Sequence, residues 1–151
     1  MDIDKGKAIA LLNKVMELEL AGVVRYTHYS LMVYGYNRIP IVDWLKKQAE
    51  EGLLHAHQAG ELVTLLGGHP SLAIGPLLET HQHDVADILK ESLAHESEAL
   101  MVYYQLLELA QGKSVLLEEY ARSLITEEEM HADAVDKMLR RTGETGVYQA
   151  R

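Results

Sequence analysis

The sequence contains no cysteine in its 151 residues. A chain without cysteine forms no disulfide, no thiolate zinc site and no cysteine-ligated iron centre of its own. It also lacks a run of about 18 apolar residues, so no membrane-spanning helix is predicted, and its first residues lack the long apolar core of a signal peptide. We therefore expect a cytoplasmic protein without a membrane partner.

Basic residues are also few. The chain has 14 Lys and Arg against 23 Asp and Glu, a formal net charge of −9. This charge repels a phosphate backbone, so we expect no nucleic-acid partner. It suits a protein that attracts cations. The length, residues 1–151, predicts a single domain around one core.

Proline occurs at three positions, Pro40, Pro70 and Pro76. Between the prolines and the glycine-rich breaks, apolar residues recur with helical spacing, which predicts four helices at about residues 4–34, 40–66, 80–111 and 114–141. Ser114 is predicted to cap the fourth helix. Long helices with short, long and short connections are typical of an all-α four-helix bundle with one long crossover between helices 2 and 3.

Three glutamates lie within the apolar stripes of these helices: Glu19, Glu96 and Glu128. A buried carboxylate is unfavourable unless it is paired or bound to a metal ion. His131 follows Glu128 by three residues, on the same helical face. One such Glu-x-x-His motif is expected by chance in a chain of this composition, so the motif alone is weak evidence.

An internal repeat strengthens the pattern. The first half has Glu19, a tyrosine seven residues later and His55 after 36 residues; the second half has Glu96, a tyrosine seven residues later and His131 after 35 residues. Adjacent glutamates precede each histidine. One Glu from each of two helices and a Glu-x-x-His from each of the other two is the ligand pattern of di-iron carboxylate bundles. Oxygen and imidazole ligands suit iron or manganese.

Four segments resemble the helices of bacterioferritins and related ferritin-like proteins: ELELAGVVRY, HAHQAGELVTLLGGHP, LAHESEAL and EEEMHADAV. The resemblance covers about residues 4–141 and implies a ferritin-like fold. It implies that Glu19 and Glu96 are terminal metal ligands, that His55 and His131 each bind one iron, and that Glu128 bridges the two. It also implies that Tyr26 acts beside the site, as a hydrogen-bond partner or electron donor.

The chain departs from the family pattern at two positions. The methionine that binds haem in bacterioferritins is replaced by Leu53, so haem is not expected. The first Glu-x-x-His motif has Gly52 where a bridging glutamate is expected, and the nearest glutamate, Glu51, precedes His55 by four residues. Three alternatives remain: the side chain of Glu51 bends into the site, a π-bulge around Gly52 carries it there, or the bridge is missing.

The resemblance implies oxidation of Fe(II) by oxygen or hydrogen peroxide for iron storage or detoxification, with two irons per chain. It also implies a homo-oligomer, and a dimer, 12 subunits and 24 subunits all remain open. The alternatives are a rubrerythrin-like peroxidase or di-iron oxidase, and a Dps-like protective shell with a degraded metal site. Gly52 is the feature that favours altered metal chemistry.

Overall fold

The computed structural model describes residues 2–77 and 80–148, and this part of the chain folds into four helices. They are α1 (Lys5–Met32), α2 (Arg38–Leu65), α3 (Val85–Ala110) and α4 (Val115–Leu139). Helix α1 packs against α2 and α3, and α3 packs against α4. The predicted all-α bundle with one long crossover is confirmed.

Side-chain caps and left-handed glycines set several helix ends. The Asp4 carboxylate accepts a hydrogen bond from the backbone N–H of Lys7 at 3.1 Å, and the Ser114 hydroxyl accepts one from Leu117 at 3.3 Å. Helix α2 is followed by Gly67, whose φ of +82° is readily adopted by glycine. The cap predicted at Ser114 is therefore confirmed.

The third helix begins five residues later than predicted, at Val85 rather than at residue 80. Two features hold the preceding segment out of the helix. His81 has a φ of 58°, which a right-handed helix does not allow. The Thr80 hydroxyl donates to Glu91 Oε2 at 2.8 Å, a contact with a residue inside α3 itself. Neither the φ of His81 nor the hydrogen bond of Thr80 can be inferred from the spacing of apolar residues.

One cluster of the apolar core draws residues from all four helices and includes Leu18, Ala59, Tyr103 and Leu124. The crossover after α2 lies along α1, where the backbone N–H of Gly75 donates to the carbonyl oxygen of Glu17 at 2.8 Å. No helix within the described residues is long and apolar enough to cross a membrane. The packing leaves a polar cavity at the middle of the bundle.

Candidate metal centre

A small cavity between the four helices is lined mainly by carboxylate and imidazole side chains. Its charged and imidazole lining consists of Glu19, Glu51, His55, Glu96, Glu127, Glu128 and His131. Each helix contributes, because Glu19, His55, Glu96 and Glu128 lie on the inward faces of α1, α2, α3 and α4. The cavity therefore unites residues that lie more than 100 positions apart in the sequence.

Three of these residues converge most closely. Ligand atoms of Glu19, His55 and Glu128 all lie within 4.8 Å of one another, and all three side chains are buried. His55 Nδ1 is 3.6 Å from Glu19 Oε2 and 3.7 Å from Glu128 Oε1. Glu128 of α4 thus places a carboxylate in the half of the site that lacks a glutamate at position 52.

Tyr26 links the other two predicted ligands. Its hydroxyl donates to Glu96 Oε1 at 2.9 Å and lies 3.2 Å from His131 Nε2. His131 Nε2 is itself 4.0 Å from Glu96 Oε1. The ring of Trp44 stacks on His131 with centroids 5.6 Å apart and an interplanar angle of 6°. Tyr26 is therefore in direct contact with two candidate ligands.

Tyr103, the tyrosine that repeats Tyr26 in the second half of the chain, makes a simpler contact. Its hydroxyl donates to Glu19 Oε1 at 2.9 Å. The other oxygen of that carboxylate, Oε2, faces His55. Thus each half of the repeat places a tyrosine beside a glutamate. Among the described residues, only Tyr26 of this pair also forms a hydrogen bond with a histidine, His131.

Sequence reasoning missed Glu127. His55 Nε2 donates to Glu127 Oε2 at 2.9 Å, although more than half of the Glu127 side chain is exposed. Since a ligating imidazole usually donates its second ring N–H to a carboxylate or carbonyl, this contact orients His55 with Nδ1 toward the cavity. The internal repeat could have indicated Glu127, because Glu127 precedes His131 by four residues, as Glu51 precedes His55.

Glu51 lies at the exposed rim of the cavity and makes no hydrogen bond or ion pair to any described residue. Helix α2 is a regular α-helix through this region, without a π-bulge. A Cβ atom at Gly52 would lie 3.3 Å from both the carbonyl oxygen of Glu19 and Val23 Cγ2. Gly52 therefore permits the close approach of α1 and α2, and Glu51 as a ligand remains a prediction.

Burial and mutual repulsion shift the carboxylate pKa values apart. Burial, reinforced by Glu96 and Glu19, raises the pKa of Glu128 to about 12, and burial also raises the pKa of Glu19. Burial acts in the same direction on Glu96, but hydrogen bonds from Glu128 and Tyr26 and the nearby His131 outweigh it and lower its pKa. In the metal-free protein, one carboxyl group of the cluster is therefore protonated.

The pKa of His55 is shifted in the direction that favours the charged imidazolium form. Burial lowers its pKa, but Glu19 and Glu127 outweigh burial and raise the pKa to about 9. His95, by contrast, is buried with its Nε2 3.0 Å from the carbonyl oxygen of Leu18, and burial lowers its pKa. His95 therefore has a structural partner on α1 and is not among the converging ligands.

The donor set fits a divalent metal ion. Glu128 Oε2 is buried and has no hydrogen-bond partner among the described residues. Such an orphaned carboxylate oxygen is unfavourable in a protein interior unless a cation satisfies it. Carboxylate oxygens and imidazole nitrogens are ligands for iron and manganese, whereas softer thiolates are absent from the sequence.

The family model described as a ferritin-like domain matches residues 9–144, so the chain belongs to the ferritin-like family. No curated protein matches it. A ferritin-like, diiron-carboxylate protein from Bacillus anthracis superposes with a TM-score of 0.86 at 23% identity, covering 93% of this chain and 100% of that chain.

Two further solved structures share the fold. The bacterioferritin of Desulfovibrio desulfuricans, described with a diiron site, has a TM-score of 0.77 at 26% identity, covering 89% of this chain and 79% of that one. The bacterioferritin-related protein of Bacteroides fragilis, a dodecameric thioferritin, has a TM-score of 0.84 at 23% identity, covering 91% and 86%. The predicted family is therefore confirmed.

Proposed function

We propose that this protein binds Fe(II) in the central cavity and oxidises it with oxygen or hydrogen peroxide, for iron storage or detoxification. The observation that carries the proposal is the convergence of three glutamates and two histidines from four helices on one cavity. Two Fe(II) ions supply the two electrons that reduce oxygen, with two protons, to hydrogen peroxide. When hydrogen peroxide is the oxidant, two Fe(II) ions supply two electrons that, with two protons, reduce it to two waters.

The residues of the chain divide into four roles in this reaction. Glu19 and Glu96 are the terminal ligands, Glu128 is the bridging ligand, and His55 and His131 supply one imidazole to each iron. Glu51, at the exposed rim, is proposed as a further ligand whose side chain bends into the cavity. The cavity fixes the ligands before iron arrives, which reduces the reorganisation needed during oxidation.

Tyr26 is the proposed electron donor when a single Fe(II) meets the oxidant. Its hydroxyl already donates to Glu96 at 2.9 Å, so the carboxylate can accept the phenolic proton as the electron leaves. Burial raises the pKa of Tyr26 well above its usual value, which keeps the phenol protonated until then. Haem has no part in the proposal, since Leu53 offers no ligand atom.

We also propose that the protein is a homo-oligomer. Large apolar side chains are exposed around the α1–α2 connection: Leu31, Tyr34, Tyr36 and Ile39. Exposed apolar surface of this kind is typical of an interface between protein chains. The dodecameric assembly of the Bacteroides fragilis relative supports a shell of the same kind here. A hollow shell would hold the oxidised iron.

Aerobic oxidation of Fe(II) by the purified protein tests the function. Metal-free protein receives Fe(II) without oxygen, and then oxygen or hydrogen peroxide is admitted while Fe(III) absorbance, bound iron and assembly mass are measured. We expect oxidation faster than in buffer, and we expect Glu128→Ala to abolish the acceleration. The matched control is Glu119→Ala, an exposed glutamate of α4. Oxidation no faster than in buffer would refute the proposal.

A further inference from the structure

We infer that the protein has a second metal site, outside the central cavity, at which His28, His81 and His83 bind one Zn(II) ion. His28 lies on α1, and the other two histidines lie in the segment of residues 80–84 that precedes α3. The bound ion cross-links this segment to α1. The inference is independent of the proposed function, because none of the three histidines lines the central cavity.

A contact between two imidazole rings carries the inference. The ring centroids of His28 and His83 lie 5.8 Å apart, with an interplanar angle of 63°. Because Zn–N bonds are about 2.0–2.1 Å long, two imidazoles on one tetrahedral Zn(II) have ring centroids about 5 Å apart. The observed contact is within about 1 Å of that separation. Small side-chain rotations therefore bring both rings onto one ion.

His81 is the third ligand. It precedes His83 by two residues, so the Cα atoms of the two histidines are at most about 7 Å apart. Its φ of 58° is the only positive value at a non-glycine residue in the described part of the chain. Such a conformation is uncommon and persists where the surrounding structure holds it. The turn keeps His81 out of α3 and beside the paired rings.

Hydrogen bonds hold the segment that carries His81 and His83. The Thr80 hydroxyl donates to Glu91 Oε2 at 2.8 Å, and the backbone N–H of Gln82 donates to the Thr80 hydroxyl at 3.3 Å. The segment ends where α3 begins, at Val85. Because these contacts order the backbone before the metal arrives, less conformational entropy is lost on binding.

Nearby charges favour a cation at this position. Asp84 directly follows His83, is exposed, and makes no side-chain capping hydrogen bond to α3. His28 lies one turn before the end of α1, whose last turn has no basic residue. The partial negative charge of this helix terminus therefore attracts a cation. Arg25, one turn earlier, is paired with Glu91 at 3.3 Å, so its charge is balanced by a carboxylate.

The donor set indicates zinc. Three imidazoles are suitable ligands for Zn(II) and leave a fourth tetrahedral position for water. The central cavity, by contrast, supplies carboxylates as well as imidazoles. All three histidines of the second site also have other interactions within the protein. Zn(II) therefore binds by exchange with existing partners rather than by filling a vacant cage.

Titration of the purified, metal-free protein with Zn(II) tests the site. Calorimetry gives the number of ions and their affinities. Carbethoxylation of histidines with and without Zn(II), located by peptide mass spectrometry, shows which imidazoles the ion covers. We expect Zn(II) to protect His28, His81 and His83 together. Protection of His55 and His131 reports separately on the central cavity, so one experiment distinguishes the two sites.

Substitution of one ligand is expected to expose the other two. His28→Gln should weaken the ion at this site at least about tenfold, the lower limit for residues that merely orient a metal ligand. It should also remove the protection of His81 and His83 and leave the histidines of the central cavity unaffected. The matched control is His57→Gln, at an exposed position of α2 outside both sites.

The outcomes separate this inference from the proposed function. The second site is overturned if Zn(II) leaves His28 and His83 as reactive as in the metal-free protein. It is also overturned if His28→Gln changes neither the Zn(II) affinity nor the protection of His83. Protection of these histidines without protection of His55 and His131 supports the second site and counts against the central one. If His28→Gln fails to fold, His83→Gln and the protection pattern of the unaltered protein decide the matter.

Discussion

Glu128→Gln is expected to stabilise the metal-free protein, although Glu128 is a proposed bridging ligand. The carboxyl group is buried against Glu96 and Glu19, and burial and these neighbours raise its pKa to about 12. Glutamine has the same shape, can donate its amide N–H to Glu96, and carries no charge. The substitution therefore removes an unfavourable ionisation equilibrium without opening a cavity.

The size of the effect follows from the pKa shift. Below the ordinary pKa of 4.5 the carboxyl is protonated in both the folded and the unfolded protein, and the folded state has no penalty. As the pH rises from 4.5 toward the folded pKa of about 12, the unfolded state gains stability by ionising while the folded state does not. At pH 7 this amounts to about 3 kcal/mol, at about 1.4 kcal/mol per pKa unit.

Denaturant unfolding of the metal-free proteins, followed by circular dichroism in the presence of a chelator, measures the difference. The advantage of Glu128→Gln should be about 3 kcal/mol at pH 7 and close to zero near pH 4.5. Glu119→Gln, an exposed glutamate on the same helix, should change little at either pH. With excess Co(II) the order should reverse, because the wild-type protein binds the metal better. A Glu128→Gln protein less stable than wild type without metal would refute the reasoning.

Three other outcomes are expected. Binding of the first Co(II) at pH 7 should release about two protons per chain. The reason is that His55, with a pKa of about 9, and Glu128, with a pKa of about 12, are both protonated before the metal binds. Calorimetry in two buffers of different ionisation enthalpy measures the release, and the absence of any release would contradict the prediction. Leu12→Ala should lower the free energy of unfolding by about 2–5 kcal/mol, because Leu12 is fully buried. Leu116→Ala, at a half-exposed position, should change the free energy of unfolding by less than about 0.5 kcal/mol. Equal losses for the two variants in urea denaturation would contradict the packing. Ser114→Ala should cost about 1 kcal/mol by removing the cap on Leu117, and Ser114→Asp, which keeps an acceptor, should retain most of the stability in the same assay.

The bundle was predictable because helix formation leaves a periodic trace. Apolar residues at helical spacing identify four helices, and left-handed glycines and the Ser114 hydroxyl mark several of their ends. Residues 80–84 were predicted wrongly because the contact between Thr80 and Glu91 is tertiary and leaves no periodic signal. Local sequence records which segments can be helical, but not which segments are recruited to other contacts.

The membership of the cavity was largely predictable for the same reason. A glutamate inside an apolar stripe has to face the bundle interior, and the sequence alone groups Glu19, Glu96 and Glu128 into one set. The pairing within the set was not predictable. Glu127 was overlooked because its contact with His55 spans 72 positions, and its exposed face resembles an ordinary solvated glutamate.

The sequence by itself determined that buried carboxylates and imidazoles meet at the centre of a four-helix bundle, and that position 52 lacks the expected glutamate. Only the tertiary structure decided what these residues do to one another. It directs Nδ1 of His55 at Glu19 and Glu128, and it places the Tyr26 hydroxyl between Glu96 and His131. The physical reason is the distance along the chain over which each feature is determined. Helical periodicity depends on neighbouring residues, whereas a contact between two atoms of different helices depends on how whole helices pack.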